Sequence, residues 1–273
     1  MTKWILEESE LTGKLPINKI IHGNALTVLK KLPNNSVDAV VTDPPYNISR
    51  NTVIRRKGGK FGIAKDISLD FGEWDHNVVT PYDWVPLVYD LLKPHGVLIF
   101  FYDKMRISHL AVWLEEEFNM CVRHIGVWVK KNPAPQARKV KWMNATEFFI
   151  IATKNHGSGH HYNYKEGQHP DYIITPICQG KERYCHPTQK PEALAEPIIR
   201  WWTYPKDIVL DPFCGTGTFL VVALKMGRRF IGIEINKEYC EIALRRIKPY
   251  LQQARLTELM EARFDSIRKR LWY

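Results

Sequence analysis

Apolar positions along the chain fall into short solid runs, separated by segments in which they recur at helical spacing. Ile17 to Asn24 reads as a short strand ending in a turn, and Ala25 to Lys31 as a helix. Val37-Asp38-Ala39-Val40-Val41-Thr42 then reads as a buried strand. Thr80-Pro81 opens a helix, with Thr as cap and Pro at the first position. That helix runs to about Leu92 and is ended by Lys93-Pro94-His95-Gly96. Val97 to Phe101 is a fully apolar strand. A helix from Lys104 to Glu117 and strands at His124–Val129 and Glu147–Ala152 follow. Pro191 opens another helix to about Thr203, which Pro197 should kink or shorten. Strand Asp207–Asp211, helix Phe219–Met226, strand Arg228–Glu234 and helix Lys237–Ile247 complete the body. Alternation of this kind predicts an α/β fold with a doubly wound, mostly parallel sheet. No repeat and no long linker divides the chain, so residues 1–273 read as a single domain. Beyond Pro249, residues 250–273 read as a C-terminal helix whose Leu256, Met260, Phe264, Ile267 and Leu271 make one apolar stripe. That stripe is a candidate surface for packing on the body or for a homodimer.

Composition narrows the class. The 273 residues suffice for one large core, and 45% apolar content places the chain among globular proteins. No stretch approaches the about 20 apolar residues that cross a bilayer. The acid-containing N-terminus lacks a signal-peptide core, so a cytoplasmic protein is expected. Five scattered cysteines without a CxxC pair read as reduced thiols.

The net charge of +10 is clustered. Residues 50–65 hold six basic side chains and no acid, among them Arg50, Arg55, Arg56 and Lys57. Residues 130–141 hold five more, Lys130, Lys131, Arg138, Lys139 and Lys141, again without an acid. Such runs are ordinarily solvated faces, but two of them in a basic protein point to nucleic-acid phosphates. Residues 155–187 are the least regular stretch, with interleaved Tyr, His and Gly suited to reading bases. Their four histidines with Cys178 and Cys185 match no compact zinc spacing, and no metal is expected.

The buried strand delivers Asp43-Pro44-Pro45-Tyr46 to the sheet edge. Two prolines fix φ and present carbonyls without competing N–H groups, beside an aromatic face. This suits a planar group bearing an exocyclic amine, although the same four residues on their own also read as a plain turn. Later, Asp211-Pro212-Phe213-Cys214-Gly215-Thr216-Gly217-Thr218 forms a tight glycine loop between strand and helix. Glu234 stands 23 positions after Asp211 at the end of the next strand, placed to accept ribose hydroxyls. A dinucleotide fingerprint wants a third small residue where this chain has Leu220, which disfavours a dehydrogenase. An acid beside the loop suits a ligand with an ammonium and no phosphate. S-adenosylmethionine therefore fits better than NAD.

Asp43-Pro44-Pro45-Tyr46, then His186-Pro187-Thr188-Gln189-Lys190-Pro191, then the Asp211–Gly217 loop together resemble the amino-methyltransferases of DNA. The order resembles their β group, over nearly the whole chain. The resemblance implies a seven-stranded sheet with one antiparallel strand. It implies that Phe213, Gly215 and Gly217 line the S-adenosylmethionine pocket, with Cys214, Thr216 and Thr218 in the same loop. Glu234 would take the ribose, and Thr188 and Lys190 would flank the methionine end. Asn24 and Ala25 match a motif near the cofactor adenine; many members carry Asp where this chain has Asn24. Asp at position 43 favours adenine N6 over cytosine N4 and DNA over RNA or protein glutamine. The implied activity is site-specific methylation of a flipped-out adenine in double-stranded DNA. Residues 155–187 would be the target-recognition segment, and a restriction endonuclease a candidate partner. The alternatives are cytosine-N4 methylation, or a non-catalytic DNA-binding protein that keeps the fold.

Overall fold

A computed structural model describes residues 3–45, 53–54, 67–68, 79–135, 142–155, 162–184 and 188–251. Strands β1 (Ile5–Glu7) and β2 (Lys19–His22) lead to helix α1 (Ala25–Leu29) and strand β3 (Val37–Thr42). Strands β4 (Val53–Ile54) and β5 (Ile67–Ser68) pair as a separate antiparallel ribbon. Then come α2 (Pro81–Leu91), β6 (Leu92–Tyr102), α3 (Ile107–Phe118), β7 (Cys121–Lys130), β8 (Thr146–Thr153) and β9 (Tyr172–Thr175). The chain continues through α4 (Glu192–Trp202), β10 (Ile208–Asp211), α5 (Thr218–Lys225), β11 (Arg229–Glu234) and a helix, α6, over 237–251.

Among the described residues nine strands form one sheet, in the order β1-β2-β11-β10-β3-β6-β8-β7-β9. β8 pairs antiparallel with both neighbours and every other pairing is parallel. The single reversed strand is as the resemblance implies. The count of seven is corrected to nine. The two additions are β1 and β9, each a short strand laid parallel on an outer edge. An uncovered edge exposes unpaired N–H and C=O groups, and short segments of this kind cap it. Both are only three or four residues long, too short for periodicity to reveal. The irregular 155–187 stretch thus contributes sheet as well as loop.

Sequence alternation explains the layering. On β3, Val40 packs to one face while Ala39 and Val41 pack to the other. On β6, Leu98 and Phe100 join the first face, and Val97, Ile99 and Phe101 the second. The first face is covered by α1, α2 and α3 through Val28, Trp84, Val88 and Leu110. The second is covered by α4 and α5 through Leu194, Ile198, Phe219 and Val222. Each such fully buried side chain contributes about 1.5–3 kcal/mol. Asp38, buried within β3, is held by the Lys93 ammonium at 2.8 Å and the Ile208 N–H at 2.9 Å, which pins β10 beside β3.

Three local expectations are revised. The helix before Lys93 ends as expected, but the strand expected from Val97 begins at Leu92, so that Lys93–Gly96 lies inside β6, where the β3–β6 register shifts, with His95 at φ 66°. Pro197 does not stop α4, which continues to Trp202 because Ile198, Ile199 and Trp202 are buried against the sheet. Pro249 lies inside α6 rather than ahead of a separate helix, and Leu251 is buried with Ile247 and Cys240. The rest of the proposed 250–273 helix lies outside the described residues.

Candidate active site

From β10 the chain proceeds outward through β11 in one direction, and from β3 through β6 in the other. The ends of β10 and β3 therefore flank a switch point, the place where open α/β sheets bind ligands. Asp211 ends β10, and Asp43-Pro44-Pro45 leaves β3. The Thr42 hydroxyl donates to Asp211 Oδ1 at 2.6 Å and stitches the two ends together. Both lie on a cleft of about 540 Å³, which Asn24, Ala25, Phe213–Thr216, Thr188–Lys190 and Glu234 also line. The early acid–proline corner and the late glycine loop thus share one cavity.

The glycine loop needs its glycines. Gly215 and Gly217 stand at φ 50° and 78°, in the left-handed region. A Cβ on Gly217 would also lie 2.9 Å from that of Ala243 on α6. Glu234 closes the loop: Gly215 N–H donates to one oxygen and Asn236 N–H to the other, each at 2.8 Å. Burial pushes the Glu234 carboxyl up, against the pull of those N–H groups. The Thr218 hydroxyl donates to the Lys190 carbonyl at 3.0 Å, tying the loop to the 188–190 segment. Cys214 is buried, and burial, then Asp211, pushes its thiol well above the usual range, so it is an inert wall. Thr216 is held from behind by Arg246, which donates to its carbonyl at 2.7 Å.

Asp211 is the electrostatic centre of this half. Burial pushes its carboxyl up to about 8, while the Thr42 hydroxyl and Phe213 N–H pull it down and Asp43 and Glu234 add to the rise. Three acids around the loop are poor neighbours for a phosphate, whereas an ammonium would favour their ionised forms. A nucleoside with a cationic amino acid end therefore fits these residues. Asn24 caps α1, its Oδ1 accepting the Leu26 N–H at 2.8 Å. Its carbonyl oxygen is thus committed to a helix end as well as facing the cleft.

The other half centres on Lys190, which is 6% exposed. Its ammonium donates to Asp43 Oδ2 and lies 3.0 Å from Glu147 Oε2. Glu147 in turn takes Lys130 at 2.6 Å. Burial draws the Lys190 pKa down, but Asp43 and then Glu147 outweigh it and hold it above its ordinary value. Lys190, expected beside the cofactor, is bound to the acid of the Asp-Pro-Pro corner. Lys130, expected on phosphate, points into this network, whereas Lys131 is exposed. Tyr46, Arg50, Arg55, Arg56, Lys57, Arg138, Lys139, Lys141, His186 and Pro187 lie outside the described residues. Glu147 was missed in the sequence, along with Tyr102, Asp103, Lys104 and Asn144, which also line the cleft. A signal for Glu147 existed: it is the one charge in the strand Thr146–Thr153, at the same sheet end as Asp43.

A doubly wound sheet with a glycine loop, an acid at the second strand end and an acid–proline corner across the cleft defines a group-transfer enzyme with a nucleoside cofactor. A family profile described as DNA methylase matches residues 37–245. The chain belongs to that family and is a DNA methyltransferase. Type II methyltransferase M2.DpnII of Streptococcus pneumoniae is 34% identical over 247 residues, covering 84% of this chain and 89% of the relative. Type II methyltransferase M.HinfI of Haemophilus influenzae is 32% identical over 260 residues, covering 85% and 70%. Among solved structures, the M1.HpyAVI–SAM complex is 30% identical with TM-score 0.64, covering 84% of this chain and 98% of that one. The cytosine-N4-specific PvuII DNA methyltransferase shares the fold at 18% identity and TM-score 0.66, covering 86% and 92%.

Proposed function

We propose that the protein transfers a methyl group from S-adenosylmethionine to the N6 amine of adenine at a specific site in double-stranded DNA. One observation carries the reading: Asp43 and the Asp211–Gly215 turn line the same cleft. Glu234 would hold the ribose and Asp211 the ammonium, with Phe213 and Gly215 along the nucleoside; Gly217, expected there too, is not part of the cleft lining and would shape the turn instead. Bound there, S-adenosylmethionine supplies an activated methyl group. Asp43 and the Pro44 carbonyl would each accept one N–H of the target amine. That draws the nitrogen towards tetrahedral geometry and aims its lone pair. Holding two reactants in line is worth up to about 7–11 kcal/mol of the barrier. Positive charge grows on the nitrogen, the Asp43 carboxylate stabilises it, and the surplus N–H proton leaves to that carboxylate or to water.

An exocyclic amine inside a duplex is out of reach, so the base must swing out, with Tyr46 as its stacking surface. The adenine preference rests on Asp at position 43. The basic runs would hold phosphates and residues 155–187 would read the sequence. The relatives' description as Type II methyltransferases supports a restriction–modification setting, with a cognate endonuclease as partner and the cytoplasm as its place. A homodimer would use the stripe at 256–271. Incubation with labelled cofactor and DNA, followed by base analysis, tests the central claim. N6-methyladenine at one short motif is expected; N4-methylcytosine alone, or no transfer, would overturn it.

A further inference from the structure

Asp43, Lys190 and Glu147 line one wall of the cleft, with Lys130 against Glu147, and the reaction as set out uses only one of these four charges. They come from four places in the chain. Asp43 follows β3, Glu147 opens β8, Lys130 ends β7 and Lys190 precedes α4. Lys190 is clamped along its length. Its carbonyl accepts from Thr218, its ammonium lies 5.1 Å from the centre of the Phe101 ring, and it bridges Asp43 and Glu147. Lys130 closes the row on the far side of Glu147 and is only 13% exposed at its side chain. The row alternates in sign, acid–base–acid–base, and is neutral in sum.

We infer that Glu147 is a positioning residue for methyl transfer: through Lys190 it fixes and electrically balances the Asp43 carboxylate, and Lys130 completes the balance. The inference rests on the reading of Asp43 as the amine acceptor. By holding Oδ2, Lys190 fixes the plane of that carboxylate and so the direction in which Oδ1 is presented. An ammonium so close to a nitrogen gaining positive charge would oppose the transfer if it stood alone. Asp43 offsets that ammonium, and the surplus positive charge of Lys130 is cancelled by Glu147. Glu147 therefore acts on the transition state more than on either ligand's affinity. Loss of its charge would leave two buried cations sharing one acid, which an unpaired buried charge makes unfavourable.

The test compares Glu147→Gln, the double variant Lys130→Met/Glu147→Gln, and Asp43→Asn with the parent protein. Single-turnover methylation, cofactor affinity, DNA affinity and melting temperature are measured for each. Glu147→Gln should slow transfer by about 100-fold, the order seen when a reacting group is misplaced. Both affinities should stay within about twofold, the pattern of an interaction made only in the transition state. The double variant removes one charge of each sign, and should recover most of the lost rate. A structural role is told apart by melting temperature and both affinities, which it would lower in Glu147→Gln along with the rate. Parental rate in Glu147→Gln, with Asp43→Asn inactive, overturns the inference alone. A slow Glu147→Gln that also loses both affinities or its fold, or is not rescued by the double variant, also overturns it. Activity retained in Asp43→Asn would remove the reading beneath it.

Discussion

At Asp211 the fold keeps a carboxyl group 1% exposed, hydrogen-bonded by a hydroxyl and an N–H and with two further acids nearby. Its pKa is raised by burial to about 8 from an ordinary 3.8. The folded state therefore holds a proton that the unfolded chain gives up. The stability this confers is complete below the unfolded value and is lost as pH rises through about 8. Asp211→Asn keeps an acceptor for Thr42 and has no proton to lose. It should come nearest the parent's melting temperature below about pH 4, exceed it by a growing margin as pH rises towards about 8, and keep that lead above it, as calorimetry would read. Cofactor affinity should move the other way. A bound ammonium favours the ionised carboxylate, so binding to the parent should release a proton. Between pH 6 and 7.5 an α-amino group is still largely protonated, and affinity should strengthen by up to about tenfold per unit. In Asp211→Asn that slope should vanish and affinity should fall throughout. A pH-independent affinity in the parent would show that Asp211 does not face the cation.

The loop from β10 to α5 is where an element's conformation sets the site. Gly217 caps α5 at φ 78°, and its N–H donates to the Cys214 carbonyl at 2.7 Å. Gly217→Ala meets a left-handed penalty of roughly 1–2 kcal/mol. Crowding against Ala243 adds about 1–3 kcal/mol. A melting temperature lowered accordingly, with cofactor KM raised more than kcat is lowered, is expected; an unchanged protein would mean that the turn has another conformation. This loop was legible in the sequence because strand, glycines and acid lie within one short stretch and need no partner to be recognised. The Asp43 corner was legible for the same reason, as an apolar run ending in a rigid dipeptide. Glu147 was not, because its meaning comes from Lys190, 43 positions away in the chain, and Asp43, 104 positions away. Lys130 read as a phosphate contact because its sequence neighbours are basic, whereas the tertiary fold turns it to Glu147. β1 and β9 are edge strands whose existence depends on the sheet they join. Pro249 misled because a helix already packed through Cys240, Ala243 and Ile247 can carry one proline near its end.

On the scale of the whole molecule, the parallel strands place their C-terminal ends on one side, and the cleft opens there. The basic run at 50–65 follows Asp43 directly in sequence, and the run at 130–141 leaves the same sheet end as Lys130. The basic runs would serve affinity for any DNA, whereas residues 155–187 would serve choice of site. These roles separate in a titration. Each phosphate contact releases counterion and contributes about 0.9 to the slope of log affinity against log salt on duplex DNA. Replacing the six basic residues of 50–65 by Gln should therefore weaken binding to cognate and unrelated duplexes alike, and flatten the slope by at most about five. The methylated sequence should stay the same. Exchanging 155–187 for a relative's segment should leave the slope within about one unit, as no phosphate contact is lost, and change which sequence is modified. If neutralising 50–65 altered the motif, or the exchange altered only overall affinity, this division of labour between charge and recognition would be refuted.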